Sequence, residues 1–343
     1  MYFSTCDSIY FATIVVFATW GVLANSFLLF MIIWRSPRHL SPYRIFLGDT
    51  ALTQLLLTVV SVVIAPRILA EGFNIVNIYL GPSQLLGPWY SFMLYATMCE
   101  FDESFFIWAT KETVLLLVHL ALNSSASLMV SMIYRYISLR QSNIKTITAV
   151  LMCLAAYVIP FSLILPHMGL TYSTNVTEAD QITHHMVPNI EKYSTVVSAN
   201  ILQLPILWSM FCCIVLLVPI YATMYVCRWK ILTLLVKATF VHSQQTKLSI
   251  ERFVKALTVQ SLVPILSIFP AAVAYSLIQS GVLRPQLFSY FIVPCIGVGP
   301  AVDPLITIYY VAPYRHFVNA TLLSQLFITP DAQHAQSRMK NKT

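Results

Sequence analysis

The chain has 343 residues, 58% of them hydrophobic and 10% charged, with a mean hydropathy of +0.74 and a formal net charge of +7. Soluble domains carry about 25% charge, so an ordinary soluble protein is excluded, and continuous apolar runs exclude a β-barrel, whose strands alternate over about ten residues. What remains is an all-α integral membrane protein, one helix bundle without a large soluble domain.

The first apolar run, residues 9–34, has no basic start and is followed by Arg35 and Arg38, so it is expected to span the membrane rather than to be a cleaved leader. A short basic loop from Arg35 to Arg44, broken by Pro37 and Pro42, leads to a second span at about 45–65 that contains Asp49, Thr53 and Gln54. Pro66 and Arg67 end it. Gly81-Pro82 and Gly87-Pro88 then mark turns. The run from Trp89 to Cys99 is shorter than the ~20 residues a span requires and is followed by Glu100, Asp102 and Glu103. The third span is expected at about 113–137, ending in Tyr134-Arg135-Tyr136, and the fourth at 146–168. A polar, acidic loop from Gly169 to Thr195 precedes the fifth at 196–226. After a basic segment come the sixth at 253–279, with Pro264 and Pro270 inside it, and the seventh at 287–311. The helix bundle thus covers residues 1–329, and residues 330–343 read as a disordered tail.

Charge orients the bundle. Sixteen of the twenty Lys and Arg fall in the first, third and fifth loops and the tail, and four (Arg67, Lys111, Lys192, Arg284) fall on the other side. The positive-inside rule therefore places the N-terminus outside and the C-terminus in the cytoplasm. Counting Trp89–Cys99 as an eighth span would split the basic loops between the two sides, so seven spans are expected. Asn175-Val176-Thr177 is a glycosylation sequon in an outer loop, and Asn175 is the residue expected to be modified.

Chemistry-bearing motifs are few. Seven cysteines show no CxxC pair and no zinc spacing, so no metal or other cofactor is expected. There is no HExxH, GxSxG, P-loop or dinucleotide fingerprint, which argues against an enzyme, and the positive charge is accounted for by loops rather than by nucleic acid. Asp303-Pro304 lies inside the seventh span, with Tyr309 further along it. An acid at bilayer depth is costly and is seldom left facing lipid. Asp49 lies at a similar depth in the second span, so the two acids are candidates for one shared water or ion site, or for separate bonds within the bundle. Arg135 at the inner end of the third span could be held within the bundle in one state and meet a partner in another, or be an ordinary basic flank. Pro264, preceded by Gln260, is expected to kink the sixth span. His119, Asn123 and Ser127 recur at i, i+4 and i+8, a polar stripe in the outer half of the third span that could contact a ligand or pack against other helices.

Seven spans with this orientation have the shape of a G-protein-coupled receptor, the alternative being a polytopic transporter or channel. The chain resembles the nematode serpentine chemoreceptors of the Str-type superfamily. The resemblance rests on Pro42-Tyr43-Arg44, Gly81-Pro82 with Gly87-Pro88-Trp89, Tyr134-Arg135-Tyr136, Gln260 with Pro264, and Asp303-Pro304-Leu305 running to Tyr309-Tyr310-Val311-Ala312-Pro313-Tyr314-Arg315. The Gly-Pro segment and Thr50-Ala51-Leu52-Thr53-Gln54 are most similar to class delta, Srd. The resemblance implies a chemosensory receptor on ciliated sensory neurons that passes an external small-molecule cue to a heterotrimeric G protein across the lipid bilayer. In it, Tyr134, Arg135, Tyr136, Asp303, Pro304, Tyr309, Pro264 and Asp49 would form the switch. Two departures stand out. In similar receptors Met98 would nearly join His119, so residues 99–118 read as an insertion or as unspliced intron. The outer loop Gly169–Thr195 also has no Cys, so the bridge that ties it to the third span in rhodopsin-type receptors cannot form.

Overall fold

The computed structural model describes residues 4–36, 41–82, 103–141, 144–163, 181, 187, 190–193, 196–238, 244–282 and 286–326. Helix α1 is Thr5–Trp34 and α2 is Ser41–Ile64. A hairpin follows, β1 at Pro66–Glu71 and β2 at Asn74–Tyr79. Helix α3 is Glu103–Arg140, α4 is Thr146–Phe161, and a third strand, β3, is Val196–Asn200. Helix α5, Leu204–Met210, passes through a π turn at Phe211–Val215 into α6, Leu217–Ala238. Helices α7, α8 and α9 are Gln244–Gln279, Ile292–Tyr310 and Ala312–Leu326.

Six helical segments among the described residues are long and apolar enough to cross a bilayer, and Thr146–Phe161 is a shorter apolar seventh. Their apolar character runs all the way round, as it must where lipid faces one side and protein the other. Val16, Trp34, Val158 and Leu266 are each 65–71% exposed. In a bilayer these faces meet hydrocarbon. Helix α2 packs between α1 and α3, α3 also meets α4 and α6, and α8 packs against α1 and α7.

Several boundaries differ from those the sequence suggests. Helix α2 begins at Ser41, so Pro42, Tyr43 and Arg44 are its first turn rather than loop. Proline suits that position because the first helical N–H groups have no intrahelical acceptor. Helix α3 begins at Glu103, ten residues before the expected start, so the acidic stretch is in part a helical lead-in. The fifth span was expected from Val196, but Val196–Asn200 is a strand and the helix starts at Leu204 with Pro205 in its first turn. β-Branched valines favour the sheet, and Pro205 sets the helix start. Trp89–Cys99, Asn175, residues 164–168 and the tail from 330 lie outside the described residues.

The strands form an antiparallel sheet in the order β1-β2-β3 over the outer end of the bundle. Pro66 pairs with Tyr79 and Glu71 with Asn74, and Ile75 pairs with Ala199 across to β3. Gly72 turns the hairpin at φ +59°, a conformation that costs glycine no steric clash. Gly81 lets the chain pass back over the end of α2, since a Cβ there would stand 2.3 Å from the Val63 carbonyl oxygen.

Candidate functional site

The inner half of the bundle is tied together through α8. Pro304 has no N–H, so the Pro300 carbonyl lacks its helical donor. Asn25 Nδ2 of α1 supplies one at 2.9 Å, and Trp20 Nε1 donates to the next carbonyl, Ala301, at 3.2 Å. Asp303 is 4% exposed and accepts a 2.6 Å bond from Gln54 Nε2 of α2. One turn on, the Thr307 hydroxyl donates to the Asp303 carbonyl at 3.0 Å and accepts from Gln260 Nε2 of α7 at 2.9 Å. Asp303 thus lies where α1, α2, α7 and α8 are pinned together.

Its other carboxylate oxygen, Oδ1, has no hydrogen-bond partner among the described residues. Asp303 lines two small cavities of about 20 Å³ each. One also includes Tyr43, Gln54, Arg135, Gln260 and Thr307. The other includes Ser124, Ser125 and Ser267. The Arg135 guanidinium is inside the bundle, 4.5 Å from the centre of the Tyr43 ring. Asp303→Asn should keep the bundle intact, because an amide oxygen can still accept from Gln54. Asp303→Leu strands that buried amide, at a cost of about 1–3 kcal/mol. Thermal midpoints of the purified variants check this, and equal midpoints would remove the Gln54 bond as an anchor.

Of the two arrangements open to Asp49 and Asp303, a shared site or separate bonds within the bundle, the geometry has separate bonds. Asp49 accepts from the Ser127 hydroxyl. Asp49 and Gln54 are five residues apart, about 140° around a helix, so they look in different directions. Tyr134 packs on Phe46 with ring centres 4.7 Å apart, while Arg140 and Lys230 lie over the Tyr136 ring. Tyr309 is 62% exposed and meets Tyr310 edge-on, facing away from the bundle. Helix α7 runs unbroken through Pro264, whose side chain lies outside the described residues. Of the expected switch residues, then, Arg135 and Asp303 share one cavity, whereas Asp49 and Tyr309 stand apart from it.

The polar stripe on α3 is used between helices. His119 Nδ1 and Nε2 each lie 2.8 Å from an α4 group, the Pro160 carbonyl and the Tyr157 hydroxyl. Asn123 donates to Thr53 of α2 at 2.9 Å, and Ser127 donates to Asp49. The neighbouring face of α3 does open on space. Val118, Ala121, Leu122 and Ser125, at i, i+3, i+4 and i+7, line a pocket of about 240 Å³ in the outer half of the bundle. Met210, Cys213 and Ile214 face it from α5 and the π turn, Ile268, Ala272 and Tyr275 from α7, and Ile292 and Ile296 from α8.

The sheet roofs this pocket with Ile68 of β1, Ile75 and Asn77 of β2, and Ala199 of β3. Ile75 and Asn77 share a face because strand side chains alternate, and Ile68 and Ala199 are their cross-strand partners. The π turn has a local cause. Pro219 has no N–H for the Val215 carbonyl, and its ring crowds that turn. The chain widens, and Leu216 N–H donates five residues back to Phe211 at 3.1 Å. Such turns often occur at functional sites.

A buried polar clasp holds the roof down. Asp7 Oδ1 and Arg67 Nη1 are 3.2 Å apart, with side chains 0% and 2% exposed. The Tyr193 hydroxyl donates to Asp7 Oδ2 at 2.6 Å and the Tyr290 hydroxyl to Oδ1 at 2.7 Å, while Arg67 Nε donates to the Ser289 hydroxyl at 3.2 Å. Burial, followed by the bond to Asp7, pushes the Tyr193 phenol above its usual range, so it remains a donor. The pattern Ser4-x-x-Asp7 was the available sequence signal. It is a capping box, with Ser4 and Asp7 bonding reciprocally at the start of α1. Nothing local pointed to Arg67, sixty residues away.

Comparison with known proteins bears on this arrangement. The profile of a family described as serpentine type 7TM GPCR chemoreceptor Srd matches residues 10–110 and 107–320. Serpentine receptor class delta-32 of Caenorhabditis elegans is 38% identical over 325 residues, spanning 95% of this chain and 90% of the relative. Serpentine receptor class delta-33 of the same organism is 38% identical over 318 residues, 92% of this chain and 87% of the relative. Among solved structures, the crystal structure of squid rhodopsin superposes with a TM-score of 0.64 at 14% identity, over 95% of this chain and 89% of that one. That likeness concerns the fold.

Proposed function

We propose a signalling route for this chain from the premise that it belongs to the Srd family of serpentine seven-transmembrane chemoreceptors. It is a multi-pass membrane protein and a chemosensory receptor of the G-protein-coupled type, and the transporter or channel alternative is not favoured. A small external molecule binds in the roofed pocket. The bound state favours a bundle arrangement that presents Arg135 and the basic inner segment between α6 and α7 to a heterotrimeric G protein. The receptor works in the plasma membrane of sensory cilia, with Asn175 glycosylated on the outer side.

One observation carries this reading, the continuity between pocket and switch. Ala121, Ser125, Ile268 and Ile296 line both the large pocket and the small cavity beneath it. Asp303 and Leu128 line that cavity and the next, where Arg135 lies. A ligand pressing on Ile268 acts on α7, the helix whose Gln260 holds Thr307. Ligand binding can shift such an equilibrium only by its difference in affinity for the two states.

The pocket is tested by filling it. Ala121→Phe projects a ring into the pocket where it narrows toward Asp303. Potency of any active ligand is expected to fall on the order of 100-fold, the scale set by losing a few kcal/mol of apolar contact. Surface expression of an epitope-tagged receptor should be unchanged. Unaltered potency would move the ligand site elsewhere.

A further inference from the structure

We infer that the pocket takes a neutral, aliphatic or alicyclic molecule of about ten to fifteen non-hydrogen atoms bearing one oxygen function, held by the Tyr275 hydroxyl. This rests on the reading of that pocket as the ligand site.

Size comes first. At about 240 Å³ the pocket falls below the range of about 300–1,000 Å³ that takes drug-sized ligands. Peptides and nucleotides are too large. Charge comes next. No Asp, Glu, Lys, Arg or His lines the pocket among the described residues. An ion entering it would give up its hydration without meeting a counter-charge, which strongly disfavours carboxylates, ammonium compounds and zwitterionic amino acids. The walls are mostly aliphatic side chains, and Tyr275 is the one aromatic residue among those described, so nothing there selects for stacked rings.

The polar anchor follows from an incompletely used donor. The Tyr275 hydroxyl, on the α7 wall, bonds to the Met210 thioether at 3.9 Å. Sulfur of this kind is a weak acceptor, so a ligand carbonyl, ether or hydroxyl oxygen would be a better partner for that O–H. Asn77 on the roof also lines the pocket, and its Oδ1 has no partner among the described residues. The site therefore favours a mainly hydrocarbon ligand with a single polar group over a pure hydrocarbon.

The test uses the full-length receptor in cultured cells with a G-protein-coupled calcium reporter. Probes are saturated ketones and alcohols of about nine to fourteen carbons, with the alkane, carboxylate and alkylammonium of matching length. At least one ketone or alcohol is expected to act, with the ionised analogues at least about 100-fold weaker. Tyr275→Phe should weaken that compound about 3- to 10-fold, the range for one hydrogen bond, and leave the matching alkane unchanged. Activity confined to ionised compounds, or none across the neutral series, overturns the inferred class. If Ala121→Phe and a second filling variant, Ala272→Phe, both reach the surface and leave potency intact, the pocket reading itself fails. If both abolish the response while Tyr275→Phe changes nothing, the pocket stands and the oxygen anchor is wrong.

Discussion

A receptor carrying Arg135→Leu is expected to reach the cell surface at close to the wild-type level and to give no ligand-evoked G-protein response. Arg135 is 4% exposed at the inner end of α3, with its guanidinium over the Tyr43 ring and Asp303 lining the same small cavity. Holding a guanidinium away from water carries a desolvation penalty of several kcal/mol, partly offset by the ring face and nearby polar groups. Leucine avoids that penalty and fills much of the same space, so folding should survive. What leucine cannot do is offer a planar cation to a partner on the cytoplasmic side. Arg135→Lys should also signal poorly, because a compact ammonium cannot lie flat on the ring or offer a paired fork of donors. Surface labelling and a calcium or cyclic-nucleotide reporter in the same cells separate folding from signalling. A full response from the leucine variant would remove Arg135 from the switch.

Breaking the outer clasp should have the larger effect on stability. Arg67→Ala leaves the Asp7 carboxylate buried without its cation, and Asp7→Ala leaves the guanidinium without its acid. Removing one partner of a buried pair typically costs about 3–5 kcal/mol. The loss falls on the roof of the pocket, since Ile68, next to Arg67, is a pocket residue. Both single variants should therefore melt well below the wild type and yield little folded receptor. The double variant Asp7→Leu with Arg67→Met should recover most of the lost stability, because a packed apolar pair of similar volume is often as stable as the ions it replaces. Melting of the purified proteins followed by tryptophan fluorescence reads both effects. Single variants that melt with the wild type would show that the pair does not hold the roof.

The clasp also compensates for a linkage missing from the sequence. The outer loop before β3 has no cysteine, so it cannot be tied to α3 by a disulfide. Tyr193, at the end of that loop, instead bonds to Asp7 on α1, and β3 adds to the hairpin edge. Hydrogen bonds and an ion pair thus position the roof, at four points of the chain that are far apart in sequence.

Much of this was legible in advance. Apolar runs and the Lys and Arg count specify a membrane bundle of known orientation, because partition into hydrocarbon and positive-inside bias depend only on local composition. Asp303 and Arg135 were identifiable for the same reason, since a charge within or beside an apolar run stands out wherever it ends up. The helix faces were not legible. Polarity singles out the His119 stripe, but nothing in the sequence tells that it binds α2 and α4 while the Val118 stripe one residue back lines the pocket. Each residue turns the helix by about 100°, so neighbours in sequence meet different surroundings. Partners were equally hidden. Gln54, rather than Asp49, meets Asp303, Asn25 fills the carbonyl freed by Pro304, and Asp7 finds Arg67, all through contacts between separate helices or strands. The sequence alone established the membrane class, the orientation of the bundle and its out-of-place charges. The pocket, its roof and the partners of those charges came only from packing, because long-range contacts depend on how helices rotate against one another, which no single run of residues encodes.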